Sequence, residues 1–93
     1  MDILCAEIEI HLPECGSLKE KRMVIKGTKD RLRDRFGVSV AELDYQDLWQ
    51  RSLLGVAMVS IEDRSSKALF QRLREHVYSD PRVVVLRFDE EWR

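Results

Sequence analysis

Five cations recur along one short segment at steps of three, four, three and four residues: Lys19, Arg22, Lys26, Lys29 and Arg33. On a helix turning about 100° per residue, this spacing gathers all five into one stripe roughly 80° wide. At about 1.5 Å per residue the stripe is about 21 Å long. Ammonium and guanidinium groups in such a row neutralise phosphates, and a row of this length could track several phosphates of one strand. Lys21 joins Lys19 and Arg22 near the start of the helix, where the backbone dipole is already positive. A helix N-terminus carrying three cations is a receptor for anions. Lys19, Lys21, Arg22, Lys26, Lys29 and Arg33 are therefore the expected RNA- or anion-binding residues. The bland alternative is a solvated face on a charge-rich protein.

A second group lies in D-Y-Q-D-L-W-Q-R, from Asp44 to Arg51. Turns are normally built from Gly, Pro, Asn, Asp and Ser, yet this one presents Tyr45, Leu48 and Trp49 among Gln and acidic residues. Aromatic rings beside Gln and Arg can stack bases and bond their edges, or anchor a protein partner. Tyr45, Gln46, Trp49 and Arg51 are the expected partner contacts, unless Trp49 folds back onto the sheet edge as core. Enzymatic arrangements fare worse. His11 and Cys15 could be imagined as base and thiol nucleophile, but no third group orients them. Asp44 with Asp47, and Glu90 with Glu91, read as solvated charges. Loop Pro13–Gly16 holds a single glycine and no phosphate-cradling pattern. The two cysteines lack CxxC spacing and a nearby His pair. We expect no catalytic residue, metal or cofactor, and reduced thiols.

A net charge of −1 over 93 residues hides a divided molecule. Ser17 to Phe36 carries eight of the sixteen Lys and Arg residues against three acids, a local charge of +5, and the remainder sums to −6. The length allows one domain, residues 1–93, with one modest core. No apolar run approaches the roughly 18–20 residues of a membrane span, and the acidic start M-D-I-L-C-A-E lacks the basic region of a signal peptide. A cytoplasmic location without membrane association is expected. The charged fraction of 35%, with no Asn and three Gln, resembles proteins of hot environments.

The elements that must position these groups follow from periodicity. Asp2 to Leu12 alternates, with Leu4, Ala6, Ile8, Ile10 and Leu12 on one face, the pattern of a half-buried strand. Ser17 and Glu20 form a capping box that opens the basic helix, and Gly37 closes it. Leu18, Val24, Ile25, Thr28, Leu32 and Phe36 form its apolar sector. Val38 to Tyr45 reads as a second strand and Gln50 to Ile61 as a third, joined through Gln46 to Trp49. A second helix begins at Asp63 or Ser65, buries Leu69, Phe70, Leu73 and Val77, and ends at Asp80-Pro81. Arg82 to Phe88 is the last strand, followed by a charged tail, Asp89 to Arg93. The order β-α-β-β-α-β implies an α+β, ferredoxin-like sandwich: a four-stranded antiparallel sheet in order 4-1-3-2 with both helices on one face. That topology brings His11 to Arg22, Asp44 to Arg51 and Asp80 to Arg82 to the same end.

The motifs S-L-K-E-K-R at Ser17–Arg22 and A-E-L-D-Y-Q-D-L-W-Q-R at Ala41–Arg51, followed by L-G-V-A-M-V-S at Leu54–Ser60, resemble the YlxP-like family of small bacterial proteins of unknown function. The resemblance spans nearly the whole chain and implies a ferredoxin-like fold and a cytoplasmic protein. Genes of this family commonly lie beside those for translation initiation factor 2 and ribosome-binding factor A, which implies a ribosome- or RNA-related role by association. No activity is settled for the family, so it supplies no catalytic residues. Met23 stands where another basic residue is usual, and Tyr45 where smaller or imidazole side chains often occur.

The third strand is apolar on both faces, whereas two helices can cover only one, so the open face is expected to serve as an interface such as a homodimer. Base stacking on the sheet itself is not expected, because that strand has no aromatics. Together these readings describe a non-enzymatic accessory protein that binds structured RNA or a ribosomal surface through the basic helix and adjacent hairpin. The alternative is a dimeric interaction or regulatory module whose basic helix meets an acidic protein.

Overall fold

The computed structural model describes residues 1–60 and 64–93. Ile61 and Asp63, read from sequence as a strand end and a helix start, lie outside the described residues. Six elements follow in order: β1 Asp2–His11, α1 Leu18–Phe36, β2 Ser39–Asp44, β3 Arg51–Ser60, α2 Arg64–Ser79 and β4 Val84–Trp92. The strands form one antiparallel sheet in the order β2-β3-β1-β4. This is the ferredoxin-like α+β arrangement that the element order implied.

Each element carries its cause in sequence. The inward positions of β1, from Leu4 to Ile10, are buried together with Leu54, Val56 and Met58 of β3. Against them pack Ile25, Leu32 and Phe36 of α1 and Phe70, Leu73 and Val77 of α2. Ser17 caps α1, its Oγ accepting from the Glu20 amide at 3.1 Å. Glu20 reaches back one residue further than the usual reciprocal box and accepts from the Gly16 amide at 2.9 Å. At the other end Gly37 takes the left-handed conformation, φ 63°, and its amide bonds the Arg33 carbonyl, the closure glycine favours.

Two strands depart from the sequence reading. β4 continues to Trp92, so Asp89 to Trp92 form an edge strand and not a tail. Ile3 and Arg93 exchange backbone hydrogen bonds just beyond it. The charges there misled because an edge strand can keep them in water, and a register shift opposite Glu9/Ile10 breaks the alternation. β2 ends at Asp44 after a second shift, at Leu43. Leu43 folds so close to Gly55 that a Cβ there would meet its Cδ1 at 2.8 Å. Gly55 therefore leaves the space that Leu43 fills. Among the described residues, no helix is long and apolar enough to cross a membrane.

Leu32 is fully buried in mid-helix. Leu32→Ala should lower the free energy of unfolding in urea by about 2–5 kcal/mol as a core truncation. A loss below roughly 0.5 kcal/mol, the scale of surface substitutions, would contradict the packing phase of α1.

Candidate nucleic-acid interface

The N-terminal end of α1 and the β2–β3 connection are joined by a lysine withdrawn from water. Lys21 is 0% exposed. Its Nζ lies 2.6 Å from the Tyr45 carbonyl oxygen, 3.4 Å from that of Gln46 and 2.8 Å from the Glu42 carboxylate. Three acceptors thus meet the three N–H bonds of one ammonium. Glu42 also accepts from Ser52 Oγ at 2.6 Å. Lys21 is therefore not an anion contact, which corrects the assignment from sequence. The signal was available: Lys21 lies four residues before Ile25 and seven before Thr28, inside the apolar stripe. Glu42 shares the inward parity of Val38 and Val40.

The connection is shaped to meet that lysine. Tyr45 has φ 65°, the one positive value among the described non-glycine residues. Holding a bulky residue there costs on the order of 1–3 kcal/mol. The Asp44 carboxylate accepts from the Tyr45 amide at 2.7 Å, and the Tyr45 carbonyl accepts from the Leu48 amide at 3.0 Å. The Tyr45 ring lies under the Arg51 guanidinium, 4.5 Å from its centroid, and Arg51 also binds the Glu9 carboxylate. A second set of bonds holds the β1–α1 loop. Gln50 Nε2 donates to the carbonyls of Pro13 and Cys15 at 3.2 and 3.1 Å. His11 Nδ1 meets the Gln50 carbonyl at 2.9 Å. From this braced loop Leu48 and Trp49 project, Trp49 with 53% of its surface exposed. Trp49 is therefore outside the core.

The stripe is less free than its spacing suggested. Asp30 engages Lys26 at 2.9 Å and Arg33 at 3.7 Å. Its carboxyl is held below the ordinary 3.8, chiefly by the Lys26 hydrogen bond. Arg33 also donates to the Val40 carbonyl at 2.8 Å, blunting the exposed edge of β2. Lys19 and Arg22 keep no ion pair or hydrogen bond among the described residues and are exposed, while Lys29 adds its charge to those acting on Asp30. Lys19 and Arg22 flank Lys21 at the helix end that meets the braced connection, as the topology required.

Residues 3–90 match the family described as a protein of unknown function, DUF503. The uncharacterized protein YlxP of Bacillus subtilis strain 168 is 40% identical over 78 residues, covering 84% of this chain and 85% of its own. The chain belongs to this YlxP-like family. The two motifs that carried the resemblance, Ser17–Arg22 and Ala41–Arg51, are the two segments that Lys21 joins.

Asp80 to Arg82 reach the same end of the sheet but the other flank of α1. Arg82 lines a hollow of about 270 Å³ with Cys15, Glu20 and Met23. Burial, then the neighbouring Glu20, pushes the Cys15 thiol up, the reverse of an activated nucleophile. Among the described residues, no group of three or more His, Cys, Asp or Glu is arranged to hold a metal ion. Asp80 accepts from Arg82 and Arg31 at 3.3 and 3.5 Å.

The Lys21 bonds can be tested by a double-mutant cycle. Lys21→Met should cost about 3–5 kcal/mol in urea unfolding, because it strands a largely buried carboxylate and two carbonyls. Lys21→Met with Glu42→Gln should lose clearly less than the sum of the singles. Additive losses would mean that the pair does not interact.

A second test concerns acid. Burial alone would raise the Asp80 carboxyl, but the Arg82 side chain and backbone, with the charges of Arg82 and Arg31, draw it net below 3.8. A depressed carboxylate stabilises the fold above its unfolded value, and that contribution is lost as pH falls through the folded value. Melting temperature should therefore drop below about pH 4 in the wild type, and Asp80→Asn should flatten that part of the drop. An unchanged acid limb in Asp80→Asn would contradict the ion-pair assignment.

Proposed function

We propose that the protein is a non-enzymatic accessory factor that binds structured RNA or a ribosomal surface with the end of the molecule where α1 begins and β2 turns into β3. One observation carries this reading. The buried Lys21 ammonium fixes an exposed Leu48–Trp49 tip against the helix end that bears Lys19 and Arg22. Exposed aromatic surface normally costs solubility unless it has a partner, and a tip held by this many bonds loses little entropy on binding. Phosphates would meet Lys19, Arg22 and Lys29. Lys26 and Arg33 would contribute less because Asp30 already neutralises part of their charge. Bases or loop backbone would meet Trp49 and Arg51.

A different surface favours the second reading, a dimeric interaction module. The sheet face away from the helices holds a trough of about 470 Å³, lined by small residues of β1, β2 and β3, by Leu43, and by the charged Glu7, Asp89 to Glu91 and Arg93. Exposed Val59 lies one pair beyond it. Arg51 and Glu9 share that face at its hairpin end, but the trough itself takes no part in the RNA reading.

Counterion release separates the two. Binding to a stem-loop RNA should weaken with salt at a slope in log K against log salt of about −0.7 to −0.9 per phosphate contact. Arg22→Glu with Lys29→Glu should flatten the slope and weaken binding at least tenfold while the fold persists by circular dichroism. Arg64→Ala and Lys67→Ala, in the first turn of α2 at the opposite end of the sheet, should do far less. Binding indifferent to salt, or equal losses from both ends, would reject the site and favour the module.

A further inference from the structure

The cleft beside the Trp49 tip has the chemistry of a nucleobase site. It is an open hollow of about 510 Å³ lined by His11, Asp47, Leu48, Trp49, Gln50 and Arg51. Resting on the RNA reading above, we propose that this cleft receives one unpaired guanine of the bound RNA. The donors and acceptors decide the base. Arg51 is held from two sides, by the Glu9 carboxylate and by the Tyr45 ring. Glu9 takes N–H from Nη2, and a guanidinium has five N–H bonds in all. Donors therefore remain for O6 and N7, the acceptor pair that guanine presents to arginine. The Asp47 carboxylate has no hydrogen-bond or ionic partner among the described residues. As a pure acceptor it suits the N1–H and N2–H₂ groups of guanine.

The remaining lining agrees with that polarity. His11 Nδ1 faces the Gln50 carbonyl at 2.9 Å. A carbonyl only accepts, so the hydrogen is assigned to Nδ1, and in the neutral ring Nε2 is an acceptor. Trp49 offers a ring face for stacking, which all bases share and which is largest for a purine. Adenine gives Arg51 only one ring-nitrogen acceptor on an edge and Asp47 only its N6 amino group. Cytosine can offer O2 and N3 to the guanidinium but gives Asp47 only its single amino group, and Trp49 a smaller ring. Uracil gives Asp47 a single N–H and Trp49 a smaller ring. Guanine alone gives both charged groups a two-point contact while filling the stack.

The experiment uses the intact protein and four stem-loop RNAs that differ in one central nucleotide of an otherwise all-uridine loop, compared by fluorescence anisotropy at one salt concentration. The G-loop should bind about tenfold or more tighter than the A-loop, the scale of one bidentate base contact. Asp47→Asn should bring the G-to-A ratio close to one. This substitution lies on an exposed residue and should leave the circular dichroism spectrum unchanged. Trp49→Phe should preserve the ratio and Trp49→Ala should weaken all four RNAs. Equal binding of the four loops by the wild type, or an undiminished ratio in Asp47→Asn, overturns the guanine pocket and leaves the RNA reading standing. Failure of every stem-loop to bind overturns both.

Discussion

A lysine ammonium taken fully out of water must find an acceptor for each N–H bond, or the fold loses several kcal/mol. Lys21 meets that requirement only if three distant pieces of chain are in place. Glu42 must point inward from β2, and the chain must turn so that the carbonyls of Tyr45 and Gln46 face the helix. The positive φ of Tyr45 and the shift in register before Asp44 accompany that turn. Local strain is tolerated there because the charge over-determines it. One buried cation thus sets the position of α1 on the sheet, the shape of the β2–β3 connection and the projection of its tip.

The same constraint changes the meaning of the charge pattern. Eight cations in one helix look like a single positive field, yet the structure divides them by task. Lys21 braces the fold, Arg33 covers the carbonyl of an edge strand, Arg31 joins Asp80 and Arg35 meets the His76 ring. Lys26 is half-neutralised by Asp30. What remains for the proposed partner is narrower: Lys19 and Arg22 at the helix end beside the hairpin, with Lys29 about two turns further along. A short basic patch beside a fixed aromatic tip fits a local feature such as a loop better than a long phosphate track. That shift from extended stripe to compact end is the main revision the structure brings to the functional reading.

Most of the architecture was legible because two periods, near two and near 3.6, alternate cleanly along the chain. Ile8 and Ile10 in β1, and Ile25 and Leu32 in α1, fall on the faces their spacing requires. Chirality then left one strand order. The site was half legible. Topology placed Arg22 and Trp49 at one end, and the structure agrees, but residue type overrode phase for Lys21. A lysine was read as surface although its position matched Ile25 and Thr28. Asp47 was read as a solvated charge, since an acid in a turn has an ordinary explanation. The end of β4 was missed because edge strands need bury little, and so leave little pattern to read.

The central claim is that the Lys21 bonds make the hairpin tip a rigid platform and not a mobile loop. Backbone ¹⁵N order parameters for Gln46 to Trp49 in the free protein test it most directly. The account predicts values near 0.85, like those of rigid sheet backbone, and a fall at these residues in Lys21→Met while β1 and β3 stay unchanged. Values below about 0.6 at the tip of the wild-type protein, or a tip that Lys21→Met leaves as ordered as before, would contradict it.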